Sequence, residues 1–330
     1  MTSRVDNEIG FLFKLCLPYC LRLPDKSYKL RYGAGSCVIE THRVDAFLRK
    51  SSDSPGCVAF KAVSGELTEA SGADIPGAML RYTVATIMFG KRLHGPEVAE
   101  SVKLAARDRA LLYLNHFLDL YRVIVGDSAI RHLTRSEFHS VRAGQALHVR
   151  THRRQGTEGI LEMGVMFDEK DPVSIGTVTL LTDEQLRAFE QRLSAGQTPP
   201  LPDLLLLNAE GSLSRGDNKL AVVDAHAAFD ILTEAKAKER LVSAGKTGDE
   251  AEWLLEPMST ARIWSAHLES CIDAAILREI PYQKWRDSWR VLRNRVVHDA
   301  YEPTDNEATQ YLMDLKRLCA FTARLQFQAD

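Results

Sequence analysis

The pattern of apolar and polar positions divides the chain into a β-rich first part and a helical second part. Short β-prone runs separated by Gly, Pro, Ser and Asp predict strands at 28–32, 36–40, 57–63 and 79–88. The next segment, 96–125, carries apolar residues at helical spacing and predicts one long helix, which Gly126-Asp127 ends. The first part is therefore expected to combine strands with helix.

Strand-like alternation returns around residue 145 and has a basic face. Apolar side chains or Thr alternate there with four basic residues, which are His148, Arg150, His152 and Arg154. A basic face of this kind can contact RNA phosphate. Charge runs more often only solvate a sheet, and we favour this second interpretation.

The first part is predicted to end at a proline-rich linker. Segments 160–166 and 174–181 predict two further strands, and Thr182 with Gln185 forms a capping box that predicts a short helix. The sequence Gln-Thr-Pro-Pro-Leu-Pro follows at 197–202. Because this is the clearest linker in the chain, we expect a domain boundary there.

Every segment beyond the linker has helical periodicity. The predicted helices are 203–214, 218–244, 250–256, 260–279, 282–301 and 305–326. The predicted fold class is therefore α+β, with a β-rich mixed domain at 1–196 and an all-α helical bundle at 203–330. Each domain has the size of one ordinary hydrophobic core.

Composition narrows the class of protein. Apolar residues make up 45% and charged residues 26% of the 330 positions, as is typical of a soluble globular protein. The formal net charge is -2, so no overall basic field attracts nucleic acid. Binding to RNA would have to come from local patches.

The N-terminal segment and the cysteines favour a cytoplasmic protein. Asp6 and Glu8 stand where a secretory signal would carry only positive charge, and the apolar run 11–23 is too short and too interrupted to span a bilayer. The six cysteines form no CxxC pair and have no His at zinc-finger spacing. We expect reduced thiols, no metal site and no cofactor.

The predicted helix 282–301 holds the candidate chemistry. Its apolar stripe is formed by Trp285, Trp289, Leu292 and Val296. Asn294 and His298 are one turn apart on the opposite side, and Arg293 lies on the flank. An amide, an imidazole and a guanidinium are thus expected to point away from the core of their own bundle.

This arrangement resembles the signature of the HEPN superfamily. In that signature four residues separate an Arg from a His, and the first of the four is a polar residue, here Asn294. Members are small all-α domains, many of them metal-independent endoribonucleases in toxin, anti-phage and RNA-processing systems. As in that family, the motif lies late in a predicted bundle and one long helix follows it. The acidic, Ala-rich early helix around 220–232 is also similar. The resemblance covers about 201–330.

The resemblance implies a two-fold dimer in which motif helices face each other across a composite site. One His298 would take the proton of the ribose 2′-OH and the other would protonate the 5′-oxygen. Paired Arg293 side chains would hold the scissile phosphate, and Asn294 would orient His298 or bind a phosphate oxygen. The expected partners are RNA, a second copy of the chain and an antitoxin or phage-derived trigger, with the first domain as a sensor.

Two acids and two further arginines are candidate supporting residues. Asp224 lies in the predicted apolar stripe of helix 218–244, where a carboxylate is costly unless it is paired, and Asp230 lies at the edge of the stripe. We expect one of them to pair with Arg293, either to orient it or as plain structure. Arg290 and Arg295 either contact the RNA backbone or only solvate the helix.

The same residues are compatible with other functions. His298 alone would be interpreted as a surface or capping histidine, and Arg293 as half of an ion pair with a neighbouring helix. A non-catalytic HEPN domain that binds RNA or nucleotides, or that only dimerises, is the main alternative to the nuclease. A further alternative places the function in the first domain, as a ligand binder that uses the basic face 148–154.

Overall fold

The structure is a computed structural model that describes residues 8–17, 19–50, 58–62, 74–92, 100–135 and 179–327. Its fold is α+β. Packing divides the chain into unit 1, Met1–Thr198, and unit 2, Pro199–Asp330, and the division falls inside the segment 197–202. The predicted basic face (His148, Arg150, His152 and Arg154) and the predicted strand 160–166 lie outside the described residues.

Unit 1 is built on an antiparallel sheet. Its strands are β1 (Glu8–Cys16), β2 (Lys26–Tyr32), β3 (Gly35–Lys50), β4 (Val58–Ala62) and β5 (Asp74–Arg92). They are arranged in the order β1-β5-β3-β2, with β4 paired to β3. The sequence placed β2 to β5 correctly but made β3 and β5 too short. It did not identify β1, because Phe11, Phe13 and Leu15 stand in a nearly continuous apolar run without clear alternation.

Two helices of the described residues pack on this sheet and complete the core seen in unit 1. Helix α1 (Glu100–Val125) ends at Gly126, whose φ is 69°, and α2 (Asp183–Ala195) begins with the predicted capping box of Thr182. The rings of Tyr28, Phe117 and Phe189 meet edge to face, with centroids 5.0 to 5.7 Å apart, and join both helices to β2. Residues 179–181 are not a strand, in contrast to the prediction.

Unit 2 is a helical bundle around one long central helix. The helices are α3 (Leu201–Ser214), α4 (Asn218–Ser243), α5 (Gly248–Leu255), α6 (Thr260–Ile263), α7 (Ala274–Glu279), α8 (Tyr282–Lys284), α9 (Arg290–His298) and α10 (Asp305–Ala323). A π-helical turn, Trp264–Leu268, follows α6, and a second, Trp285–Trp289, joins α8 to α9. Helix α4 packs against α3, α10 and α9.

Some predicted helix ends are wrong for identifiable reasons. Helix α3 already begins at Leu201, because Pro202 is tolerated in a first turn, where backbone N–H groups lack partners anyway. The predicted helix 260–279 is interrupted at Ile272, which is extended. Asp273 then caps α7 by accepting the backbone N–H of Ala275 at 2.6 Å, so its side chain favours a new helix start over continuation.

The buried face of α4 also differs from the prediction. The helical spacing of Leu220, Val223, Ala227, Ala228, Ile231 and Ala235 predicts the apolar stripe of this helix. Leu220 and Val223 are instead 42% and 36% exposed. The buried face is formed instead by Ala221, Val222, Ala225, His226, Ala228 and Phe229. Small alanines allow neighbouring helices to approach closely, and Phe229 packs against the rings of Trp264 and Trp285. The periodicity was helical and placed Ala228 correctly, but it missed most of the buried face.

Candidate functional site

The motif segment, defined as Tyr282–His298, is fixed by its apolar side as predicted. Trp285 is fully buried, Leu292 and Val296 are nearly so, and Trp289 packs against the same core. The Trp285 ring meets Phe229 of α4 edge to face with centroids 4.9 Å apart. The segment ends at His298 rather than near Tyr301, with Asp299 as its C-cap.

A buried carboxylate on α10 attaches the segment from a second direction. Asp314 is 4% exposed and accepts hydrogen bonds from Trp289 Nε1 at 2.9 Å and Gln310 Nε2 at 3.2 Å. Lys284 Nζ lies 2.8 Å from Asp314 Oδ2, the same oxygen that accepts from Trp289, while Gln310 donates to Oδ1. Burial alone would raise the pKa of Asp314, but the hydrogen bonds from Lys284, Trp289 and Gln310 lower it on balance. Sequence analysis missed this residue, although an Asp amid the apolar stripe of α10 was a signal.

The opposite side of α9 is open in the described structure. Asn294 and His298 are exposed, as the helical spacing predicted. Two valines of the same helix, Val291 and Val297, are 50% and 45% exposed. A polar pair flanked by exposed apolar side chains therefore faces away from the bundle.

The arginines of α9 have no carboxylate oxygen at ion-pairing distance within the described residues, although the charge of Arg295 contributes to the lowered pKa of Glu307. Across the described residues, Arg290, Arg293 and Arg295 form no ion pair with a carboxylate. Arg293 is half-buried and its Nη1 donates to Asn294 Oδ1 at 3.2 Å. The Arg295 guanidinium lies 3.8 Å from the centroid of the Tyr301 ring. The interpretation of Arg293 as half of an interhelical ion pair is not realised.

The two candidate acids occupy different environments. Asp224 is half-buried, and burial together with the negative charge of Asp217 raises its pKa. The expected ion pair between Asp224 and Arg293 is not formed, because Asp224 lies at the edge of the exposed Leu220–Val223 side of α4. Asp230 instead accepts a hydrogen bond from Thr260 Oγ1 at 2.6 Å.

A buried histidine that sequence analysis did not identify lies beside Asp230. His226 Nε2 is 3.4 Å from Asp230 Oδ1, and His226 Nδ1 is 2.6 Å from Tyr311 Oη. Burial has the largest effect and lowers the pKa of His226. The negative charge of Asp230 raises this pKa and the positive charge of Arg293 lowers it, so that on balance it lies below its ordinary value. His226 is therefore neutral at pH 7. The sequence signal for this pair was its spacing, because residues four apart on one helix, such as His226 and Asp230, lie on the same face.

This buried imidazole makes unit 2 sensitive to acid. Because the folded pKa of His226 is depressed, the unfolded chain binds the proton first, and stability is lost as pH falls below about 6.5. The slope from one such group is at most about 1.4 kcal/mol per pH unit. We expect His226→Asn to flatten this slope in urea unfolding followed by tryptophan fluorescence, which reports on unit 2 because all four tryptophans lie there. An unchanged slope would contradict the assignment.

The turn after His298 is strained. Ala300 has φ 53°, a left-handed conformation that usually requires glycine. The turn allows the backbone N–H of Tyr301 to donate to the Arg295 carbonyl at 3.1 Å. It also places the aromatic ring of Tyr301 against the Arg295 guanidinium. We expect Ala300→Gly to stabilise unit 2 by up to about 1 kcal/mol, because it relieves the backbone strain. Chemical denaturation measures this, with Ala275→Gly in α7 as a control that should destabilise.

Other site classes have no support in the part of the chain that the structure describes. There, no three His, Cys, Asp or Glu side chains come close enough together to hold a metal ion. No helix within the described ranges is both long and apolar enough to cross a membrane.

Comparison with known proteins finds no matching family model, no matching curated protein and no matching solved structure.

Proposed function

We propose that the chain is a metal-independent endoribonuclease of HEPN type, acting at a composite site in a two-fold dimer. The observation that carries the proposal is the charge pattern of α9. Arg290, Arg293 and Arg295 have no carboxylate partner among the described residues, and the exposed His298 lies on the same short helix. Guanidinium groups that form no ion pair, on one helix with an exposed imidazole, suit an external phosphate.

The proposed reaction needs two protons moved at one phosphate. His298 of one protomer removes the proton of the ribose 2′-OH, and the 2′-oxygen attacks the neighbouring phosphorus. The bond from phosphorus to the 5′-oxygen breaks as His298 of the other protomer protonates that oxygen. Arg293 stabilises the negative charge that develops on the phosphoryl oxygens. The products are a 2′,3′-cyclic phosphate and a 5′-hydroxyl, and DNA is refractory because it lacks the 2′-OH.

The exposed face of α9 supports the dimer part of the proposal. Val291 and Val297 expose about half of their surface on either side of Asn294. In an isologous interface each patch meets its own copy, so these valines would be covered as the two His298 side chains approach each other. Charged substitution of Val291 would then prevent dimerisation.

The direct test is incubation of the full chain with RNA in EDTA. We expect fragments that end in 2′,3′-cyclic phosphate, while an oligonucleotide with one ribose in a DNA strand is cut only beside that ribose. Arg293→Ala is expected to abolish cleavage and Arg293→Lys to restore only part of it, because Lys lacks the planar fork. Cleavage that depends on an added divalent metal, or that Arg293→Ala leaves intact, contradicts the proposal.

The family resemblance suggests a setting in bacterial anti-phage defence or a toxin system, in the cytoplasm, with unit 1 as the sensor of a trigger or the site for an antitoxin. The second candidate function is a non-catalytic domain for RNA binding or dimerisation. The exposed valines of α9 favour it as much as they favour the nuclease. A wild-type chain that dimerises and binds RNA without cutting it would establish this alternative.

A further inference from the structure

We propose that unit 1 binds a small aromatic anion in a cavity between the β2–β3 turn and helix α1. The cavity has a volume of about 300 Å³, and its described wall is formed by Tyr32, Ala34, Gly35, Arg109, Leu112 and Tyr113. This volume is near the lower end for small-molecule sites. The inference goes beyond the proposed nuclease activity, because the site lies wholly in unit 1 and needs neither RNA nor a dimer.

The hydroxyl of Tyr113 is the polar group built into the cavity wall. The side chain is 4% exposed, and its ring meets Phe89 edge to face with centroids 5.5 Å apart. Among the described residues this hydroxyl has no hydrogen-bond partner. Buried polar groups are nearly always paired in folded proteins, so a hydroxyl left unpaired at a cavity wall is available to a ligand. Burial raises the pKa of Tyr113, so the hydroxyl keeps its proton at neutral pH and can donate to an anion.

Glycine at position 35 makes room for this hydroxyl. A Cβ atom at Gly35 would overlap Tyr113 Oη and lie 3.3 Å from Cζ, so any other residue there would force the tyrosine to move. Gly35 is the first residue of β3 and pairs with Tyr32 across the turn. The backbone of the turn and the phenol of Tyr113 are therefore packed closely as one wall of the cavity.

Arg109 supplies positive charge at the same cavity. It lies four residues before Tyr113 on α1, so the two side chains share one face of the helix. Arg109 is exposed and forms no ion pair with a carboxylate of the described residues, in contrast to Arg107, which lies 3.4 Å from Asp108. No acidic side chain belongs to the described wall. A guanidinium and a phenol donor that line one cavity favour a carboxylate or a phosphate.

The rest of the wall favours a flat ring on that ligand. The Tyr32 ring packs on the buried His116 ring with centroids 4.4 Å apart, and this contact holds Tyr32 at the cavity. Tyr32 and Leu112 both expose apolar surface. An aromatic ring of the ligand can stack on Tyr32 and cover Leu112, while its anionic group is bound by Arg109 and Tyr113. Nucleoside monophosphates and small aromatic carboxylates share this chemistry.

The direct test titrates the full chain with 5′-AMP and with indole-3-acetate in separate calorimetric experiments. We expect at least one of them to bind, and its uncharged analogue, adenosine or indole, to bind at least about tenfold more weakly. Added salt should weaken the binding, because Arg109 is exposed. Binding of 5′-AMP alone supports the proposal with a nucleotide as the source, and binding of indole-3-acetate alone supports it with an aromatic carboxylate. If neither binds, the proposal is overturned.

The first pair of variants compares two exposed arginines of unit 1. Arg109→Ala should lower the affinity about tenfold to a hundredfold, the range for a hydrogen bond to a charged group, and Arg109→Lys should recover part of it. Arg187→Ala removes an exposed arginine of α2 with the same change in charge and should bind like the wild type. Equal affinities for Arg109→Ala and Arg187→Ala would overturn the assigned site.

The second pair of variants compares two buried tyrosines of α1. Tyr113→Phe removes an unpaired hydroxyl, so it should lower the affinity about tenfold and leave the midpoint of thermal unfolding unchanged. Tyr121→Phe removes a hydroxyl that accepts the backbone N–H of Arg22 at 2.9 Å, so it should lower that midpoint and leave the affinity unchanged. The reverse pattern, or full affinity in both variants, contradicts the proposed role of the Tyr113 hydroxyl.

Discussion

His298→Ala is expected to lower the rate of RNA cleavage by about a hundredfold to ten-thousandfold, the range that one positioned proton-transfer group supplies. The imidazole is exposed, so its removal should leave the fold and RNA affinity almost unchanged. The loss should therefore be found in kcat. Single-turnover cleavage of a defined RNA in EDTA measures the effect directly.

The matched control for this variant is Gln283→Ala, which shortens another exposed side chain of the same segment. It should cleave at the wild-type rate. A dimer formed from one wild-type and one His298→Ala subunit should also be slow, since each proton transfer needs its own imidazole. Full activity of this mixed dimer would show that one histidine suffices, and the composite site would then be wrong.

Asp314→Ala is expected to destabilise unit 2 by about 2–3 kcal/mol, the largest stability effect among these variants. Removal of the carboxylate leaves the Trp289 N–H without its acceptor and separates Lys284 from its partner. Lys284 is 45% exposed and can turn to water, so the buried indole carries most of the cost. Guanidinium unfolding followed by tryptophan fluorescence gives the value.

Asp314→Asn provides the control, because an amide oxygen can still accept from Trp289. It should cost about 1 kcal/mol, the typical net value of one hydrogen bond. The pKa of Asp314 is lowered in the folded state, so its contribution is present above about pH 4 and is lost as pH falls through the folded pKa. The difference between wild type and Asp314→Asn should shrink below pH 4. A constant difference would contradict the assigned ion pair.

The sequence predicted the elements better than their faces. The spacing of Trp285, Leu292 and Val296 identified the buried side of the motif segment, because large apolar residues dominate a helical pattern. The same reasoning failed for α4, whose core side is rich in alanine, with Val222, His226 and Phe229 among the alanines. Small residues contribute little to periodicity, although they let helices approach closely.

The candidate site was predicted only where its chemistry is local. Arg293, Asn294 and His298 follow one another on one helix, so their relation could be deduced from helical geometry. His226 and Tyr311 are 85 residues apart and meet through tertiary packing, which no periodicity encodes. Asp314 stands out in the sequence as an acid amid an apolar stripe, but its partners Trp289 and Lys284 also meet it only through tertiary packing. The sequence could not decide whether Asp224 or Asp230 faces the motif segment, because that decision depends on which side of α4 is buried.

The wide turn Trp285–Trp289 has a consequence for how the chain tolerates change in length. Such a turn holds about one residue more than its neighbours, and each residue rotates a helix by about 100°. Excision of a single residue from it would convert it to an ordinary α-turn and leave α9 on its present face, because only the extra residue is lost. The same deletion at Val291 has no such slack and would bring Arg293 into the core position of Leu292 and Val297 into that of Val296. A one-codon deletion would therefore bury the cation that the proposed chemistry requires only where the helix is regular.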